Sequence, residues 1–201
     1  REMEHYYTEK PRSEVRENIF SYEINGIKLD FVSVSGVFAF SDRIDKATRL
    51  LIENYRPSGA SNFVLDLGCG IGPIALYIKR RYPHLQVTAV DINERAVEYA
   101  KINARKNNLE IETLKSDLYE GLNGRLFGDI VSNPPIAAGK ALNTRLITEA
   151  REHLMKNGAL WLVAFHNKGG NTLKKIMHEV FGNVEDMEKS GGIRVYRSVN
   201  L

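Results

Sequence analysis

Val64-Leu65-Asp66-Leu67-Gly68-Cys69-Gly70-Ile71-Gly72 runs from a short apolar strand through a glycine turn toward a helix opened by Pro73. Glycines at 68, 70 and 72 let the backbone turn tightly and let a ligand come close where a Cβ would collide. A pyrophosphate-binding loop needs Gly-x-Gly-x-x-Gly, whereas the spacing here is Gly-x-Gly-x-Gly. Asp66, at the end of the strand, would also repel phosphates. A carboxylate there suits a cationic or amine-bearing ligand.

Downstream the rhythm is strand, helix, strand, helix, which predicts a parallel sheet covered on both faces. Strands are expected at Phe63–Leu67, Gln86–Val90, Ile111–Leu114, Asp129–Ser132 and Ala159–Phe165, and helices at Pro73–Arg81, Glu94–Lys106, Lys140–Lys156 and Lys168–Phe181. Asn183–Met187 and Ile193–Val199, joined at Ser190-Gly191-Gly192, read as an antiparallel pair that finishes the sheet. Upstream, Asn25-Gly26 between Ile19–Ile24 and Lys28–Val34 marks a β-hairpin. A loop carrying Phe38 and Phe40 then leads to a helix over Asp42–Tyr55. The expected fold is α/β, a doubly wound, mostly parallel seven-stranded sheet with a C-terminal antiparallel pair. Residues 1–58 are expected to form a hairpin and helix appended to a core domain of residues 59–201.

Two hundred and one residues exclude two large domains. The longest apolar run, Ala159–Phe165, is too short to span a bilayer, which takes about 20 residues. The lone cysteine forbids an internal disulfide and suits a reducing compartment, so a cytoplasmic location is expected. Five scattered histidines give no zinc set, and no metal is expected. The net charge of +3 is mild, but basic residues outnumber acidic ones between positions 131 and 182. A local face there could meet nucleic acid.

Three more strand ends carry chemistry. Asp91, in Val90-Asp91-Ile92-Asn93, stands where nucleoside-binding α/β folds hold ribose hydroxyls, and Asp117 precedes Leu118 after the third strand. In a doubly wound sheet these ends form one crevice. After the fourth strand, Asn133-Pro134-Pro135-Ile136 is a rigid extended elbow whose Asn133 amide and Pro134 carbonyl offer two acceptors, a match for an amino group. Cys69 reads as a small turn residue rather than a nucleophile, Trp161 as core, and His166 as a loop histidine rather than a base.

Taken together, Asp66-x-Gly68-x-Gly70-x-Gly72, Asp91, Asp117 and Asn133-Pro134-Pro135-Ile136 resemble the motifs of class I S-adenosylmethionine-dependent methyltransferases that modify exocyclic nitrogens. His5-Tyr6-Tyr7-Thr8-Glu9-Lys10-Pro11, Gly36-Val37-Phe38 and Leu50-Leu51-Ile52-Glu53 extend the likeness to the RsmC-like ribosomal RNA guanine-N2 methyltransferases, in a short single-domain form. The resemblance implies a Rossmann-like methyltransferase fold and the cofactor S-adenosyl-L-methionine. It assigns the cofactor to Asp66, Gly68, Cys69, Gly70, Gly72, Asp91, Ile92, Asp117, Leu118 and Asn133, with Asn133 and Pro134 catalytic. Pro135, Ile136 and an aromatic, Phe38, would receive the base, and Lys140, Arg145 and Lys168 would meet RNA phosphates.

Two departures from the family pattern stand out. Ile136 replaces the usual aromatic after the two prolines, and Asp45-Lys46-Ala47-Thr48 replaces an Asp-x-Gly-Ser or Asp-x-Gly-Thr element. The expected partner is RNA, ribosomal RNA above all, with no membrane and a monomeric state. Methylation of a protein glutamine or of adenine N6, a nicotinamide-dependent oxidoreductase and a non-catalytic RNA-binding module remain alternatives.

Overall fold

The computed structural model describes residues 14–37 and 43–201. Its first element is the hairpin of β1 (Glu17–Ile24) and β2 (Ile27–Val34), in register from Glu17 opposite Val34 to Ile24 opposite Ile27. Asn25 and Gly26 both take positive φ, 53° and 77°, as a two-residue turn matched to the strand twist requires. After α1 (Lys46–Asn54) come β3 (Phe63–Leu67), α2 (Pro73–Arg81), β4 (Gln86–Asp91), α3 (Glu94–Lys106) and β5 (Glu112–Lys115). The chain continues through β6 (Phe127–Ser132), α4 (Lys140–Glu152), β7 (Leu154–Phe165), α5 (Asn171–Phe181), β8 (Glu185–Ser190) and β9 (Ile193–Val199).

Seven of these strands form one sheet in the order β5-β4-β3-β6-β7-β9-β8. The first five in that order are parallel; β9 runs against β7, and β8 against β9. This is the doubly wound, mostly parallel seven-stranded sheet expected from the sequence, closed by an antiparallel pair. From β3 the chain winds outward through β4 to β5 and then returns to β6 on the other side. The strand order therefore reverses between β3 and β6, and ligands bind such sheets beyond the carboxyl ends of the strands at that reversal. Gly68 follows β3 and Asn133 follows β6, so the topology itself sets the glycine turn beside the Asn-Pro-Pro elbow.

Two apolar layers cover the sheet. On one face Val64, Val87, Val131, Trp161 and Val163 pack with Leu51 and Ile52 of α1, Ile74 and Ile78 of α2, and Phe20, Ile24, Leu29 and Phe31 of the hairpin. On the other, Leu65, Leu67, Ile130, Leu160 and Leu162 pack with Leu146 and Ile147 of α4 and with Leu173 and Met177 of α5. The hairpin is also tied to α3 by hydrogen bonds. Asn103 Oδ1 accepts the Val32 N–H at 2.8 Å, its Nδ2 donates to the Val32 and Ile71 carbonyls, and Asn107 does the same at Asp30. Two amides one helical turn apart thus serve β2 as a substitute strand edge and hold the glycine turn at Ile71.

Several boundaries differ from the expectation. The helix expected over Lys140–Lys156 ends at Glu152, and Leu154 already pairs with Phe127. The register then shifts before Asp129 pairs with Ala159, and Asn157 takes φ 67°. Lys156-Asn157-Gly158 is a bulge within a strand, not a turn between elements. A Cβ at Gly158 would sit 2.7 Å from the Gly128 carbonyl, which is why glycine stands there. Helix α1 starts at Lys46, where Asp45 in extended conformation caps it, and α5 starts at Asn171 rather than Lys168. No described helix is long and apolar enough to cross a membrane.

Candidate active site

At the carboxyl ends of β3, β6 and β7 lies a cleft of about 410 Å³. Its walls are the Gly68–Ile71 turn, the start of α1 from Arg43 to Thr48, the elbow from Asn133 to Ala137, and Val163 to Phe165 with Lys168.

The glycine turn is held from β4. The Gly68 and Cys69 N–H groups both donate to the Val90 carbonyl at 2.9 Å, and Gly70 N–H donates to Asp91 Oδ2 at 2.9 Å. Gly68, Gly70 and Gly72 have φ of 76°, 54° and 101°, values that make glycine the fitting residue at each. Gly72 caps α2, with Pro73 at its first position, where a missing N–H costs nothing. Asp66 lies beneath the turn, fully buried. Its Oδ2 accepts the Ala75 N–H at 3.1 Å and its Oδ1 has no partner. Burial lifts its pKa to about 8; the Ala75 N–H draws it down and the nearby Asp91 pushes it up. Burial raises the Cys69 thiol too, helped by Asp91 and Asp66, so Cys69 stays a neutral thiol with no nucleophilic character.

The elbow shows a similar division of labour. Ser132 Oγ donates to the Leu67 carbonyl at 2.6 Å, joining β6 to β3 immediately before the elbow. Pro134 O accepts the Ile136 N–H at 2.9 Å, and Asn143 Nδ2 of α4 donates to Pro135 O at 3.1 Å. Asn133 Nδ2 donates to the Thr48 hydroxyl at 3.1 Å. Ile136 lies against the loop after β7, where a Cβ on Gly169 would come within 2.6 Å of its Cγ2.

Of the residues singled out from sequence, Gly68, Cys69, Gly70, Asn133, Pro134, Pro135, Ile136 and Lys168 line this one cleft. Asp91, Ile92, Asp117 and Leu118 lie beyond the turn, at the ends of β4 and β5, where Ser116 N–H donates to Asp91 O. Asp91 is 3% exposed, with Oδ1 on the Asn93 N–H and Oδ2 on Gly70. Lys140 is exposed on the first turn of α4, away from the cleft walls. Arg145 is committed to carboxylates, Glu149 at 2.8 Å, Glu120 at 3.3 Å and Asp117 at 3.9 Å. Phe38 lies outside the described residues. Trp161 is core, 1% exposed, and His166 Nδ1 pairs with the Tyr196 hydroxyl at 2.6 Å.

The sequence reading did not place Ile44, Phe20 or Phe165 at the site. Phe165 is 45% exposed at the end of β7 with the Lys168 ammonium 5.7 Å from its ring centre. An aromatic ending an apolar strand was the available signal for it.

An acceptor left without a donor beneath a glycine turn, Asp66 Oδ1, fits a ligand that brings a cationic group. S-Adenosylmethionine is such a ligand.

The chain is 32% identical over 197 residues to the Bacillus subtilis protein YbxB, covering 97% of this chain and 98% of that one. It is 34% identical to the ribosomal RNA small subunit methyltransferase C of Pseudomonas entomophila, over 98% of this chain and 58% of the relative. Among solved structures, the 16S rRNA N2 G1207 methyltransferase RsmC of T. thermophilus, in complex with AdoMet and guanosine, superposes with a TM-score of 0.80 at 25% identity. That match covers 95% of this chain and 52% of the other. The chain thus spans about half the length of the methyltransferase C relatives it matches. The model of the methyltransferase small domain matches residues 28–197, from the second hairpin strand to the last strand of the sheet. With that span and these catalytic-end motifs, the chain belongs to the methyltransferase small domain family.

Proposed function

We propose that this protein is an S-adenosylmethionine-dependent N-methyltransferase acting on the exocyclic amino group of a base in RNA, guanine N2 of ribosomal RNA. The observation that carries the reading is the Asn133–Ile136 elbow, set across one cleft from the Gly68–Gly70 turn. Likeness to relatives named for ribosomal RNA methylation supports it. In this reading residues 1–58 are an appendage on a catalytic unit of residues 59–201, and the enzyme works in the cytoplasm as a monomer.

The Asp66–Gly72 turn would hold the methionine portion of the cofactor, Asp91 with Ile92 the ribose, and Asp117 with Leu118 the adenine. When bound, the cofactor supplies an electrophilic methyl group on a sulfonium. Everything else falls to the chain. The guanine amino nitrogen is a poor nucleophile because its lone pair is delocalised into the ring. Asn133 Oδ1 and the Pro134 carbonyl would accept its two hydrogens, turn the lone pair toward the methyl, and stabilise the positive charge that grows on nitrogen. The new nitrogen–carbon bond forms as the methyl–sulfur bond breaks, and the surplus proton leaves to water. Positioning of this kind supplies roughly 7 to 11 kcal/mol of barrier reduction. No strong base is required.

A base inside a helix cannot reach this cleft, so the target is flipped out or already single-stranded. Lys168, on the cleft wall, and Lys140 would meet phosphates. Arg145, held by three carboxylates, would instead fix the Asp117 loop. Pro135, Ile136 and an aromatic face, Phe38 or the exposed Phe165, would enclose the base. Incubation with labelled S-adenosylmethionine and either undermodified ribosomal RNA or a protein extract tests the reading. Label is expected in RNA alone, and label confined to protein would overturn it.

A further inference from the structure

The elbow amide has two orientations, and its role as an acceptor requires only one of them. Carbon, nitrogen and oxygen of an asparagine side chain occupy nearly the same volume either way round, so the hydrogen-bond network has to select the orientation. Here the selecting group lies 85 residues away in sequence, on the first turn of α1.

Thr48 Oγ1 donates to Asp45 Oδ2 at 2.8 Å. Asp45 Oδ1 meanwhile accepts the Thr48 backbone N–H at 3.0 Å, as the cap of α1. A carboxylate can only accept, and a hydroxyl has a single proton. With that proton committed to Asp45, Thr48 Oγ1 can only accept from its other neighbour, the Asn133 amide at 3.1 Å. The atom facing Thr48 must therefore be Nδ2, which leaves Oδ1 for the ligand. Thr48 is 4% exposed, so water cannot readily replace it in this role.

We propose that Asp45 and Thr48 are positioning residues that lock Asn133 with its acceptor toward the target amine. The inference rests on the proposed amine methylation. It gives the Asp45-Lys46-Ala47-Thr48 segment a job that tolerates alanine at position 47, since the residues used are the cap and the hydroxyl.

The test is a set of four variants, Thr48→Val, Thr48→Ser, Asp45→Asn and Asp45→Asn/Thr48→Val, each measured for kcat, KM for RNA, cofactor affinity by calorimetry and thermal midpoint. Thr48→Val is expected to lower kcat roughly 10- to 100-fold, the scale of a misplaced reacting group, with cofactor affinity and midpoint unchanged. Thr48→Ser should keep most of the turnover. Asp45→Asn is the discriminating change. Asparagine still caps the helix, but its Nδ2 donates to Thr48 Oγ1 and frees the hydroxyl proton to turn toward Asn133. The Asn133 amide then flips to accept that proton and presents its NH2 to the substrate. Turnover should fall at least as far as in Thr48→Val, and the double variant should be no worse than Asp45→Asn alone.

Wild-type kcat in Thr48→Val would overturn the proposal, as would a parallel loss of cofactor affinity, which would place the hydroxyl on the cofactor instead. If the wild-type protein methylates no guanine, the proposed function falls by itself. The relay is then decided by hydrogen exchange at the Asn133 side-chain amide: slower exchange in wild type than in Thr48→Val upholds it, and equal exchange overturns it.

Discussion

Asp66 and Asp129 lie on neighbouring strands, both fully buried, and they have been finished differently. Asp129, near the start of β6, is surrounded by donors from the linker after α1. The Tyr55 hydroxyl and the Ser58 N–H both donate to its Oδ2 at 3.0 Å, and the Ser58 hydroxyl closes on Gly128 O at 2.8 Å. Asp66, at the other end of β3, has one backbone donor, and in both carboxyls Oδ1 has no hydrogen-bond partner. Burial raises both pKa values, Asp129 to about 7 and Asp66 to about 8. For Asp129, Ser58, Tyr55 and Trp161 draw the value back down, whereas for Asp66 only Ala75 does. Asp129 is clamped by two donors from its own chain on one oxygen, whereas Asp66 lies beneath the glycine turn, at the end of the sheet where ligands bind. Burial of an acid does not by itself mark a functional site. Its place at the carboxyl ends of the strands, beside the reversal of strand order, does.

The contrast predicts that substitutions at the carboxyl ends of the strands change activity, and that those at the opposite end change stability. The largest effect is expected for Asn133→Ala, a loss of about 100- to 1,000-fold in kcat with cofactor affinity and thermal midpoint retained. A variant keeping more than a third of the turnover would count against the amine-gripping role. Asp91→Ala should lose about 2 to 4 kcal/mol of cofactor binding, since hydrogen bonds to a charged group contribute about 1.5 to 3 each. It also frees Gly70 N–H. Equal calorimetric affinity in variant and wild type would remove Asp91 from the cofactor site.

At the clamp the readout is reversed. Asp129→Ala leaves the Tyr55 hydroxyl and Ser58 N–H without their acceptor and should cost roughly 2 to 4 kcal/mol in denaturant unfolding, with turnover per folded molecule unchanged. Its pH behaviour has a definite sign. A carboxyl whose folded pKa is about 7 against 3.8 when unfolded binds its proton more tightly in the folded state. The stability it contributes is present below about 3.8 and is lost as pH rises through about 7. Asp66 acts in the same direction up to about 8. Asp129→Asn should therefore flatten only part of the decline in thermal midpoint between those limits. An unchanged profile would mean that Asp129 stays ionised when buried. Saturating cofactor should remove the Asp66 part, because a cationic ligand expels its proton. Calorimetry near pH 7 in buffers of different ionisation enthalpy should detect that release in wild type, and Asp66→Asn should abolish it.

Much of this was legible in the sequence where the chemistry is local. Asn25-Gly26, the glycine turn and the Pro-Pro elbow each fix their own backbone, and the alternation of strands and helices fixed the topology that joins them. What was hidden depends on distant partners. The stretch from Leu154 to Lys156 reads as the end of a helix until Leu154 finds Phe127. Arg145 reads as a free cation until Glu120, Glu149 and Asp117 surround it. No pattern in the sequence links Thr48 to Asn133. The smallest predicted effect concerns such a surface group. Lys168→Ala should weaken RNA binding uniformly across sequences and reduce its salt dependence by about one released counterion. An unchanged salt slope would leave Lys168 as a partner of Phe165 alone.

The most direct measurement is nucleoside mass spectrometry of undermodified small-subunit ribosomal RNA after incubation with S-adenosylmethionine and either the wild-type protein or Asn133→Ala. N2-methylguanosine should accumulate with the wild type and fall at least about 100-fold in initial rate with the variant. N6-methyladenosine in its place, or no methylated nucleoside while the protein binds the cofactor, would contradict the account.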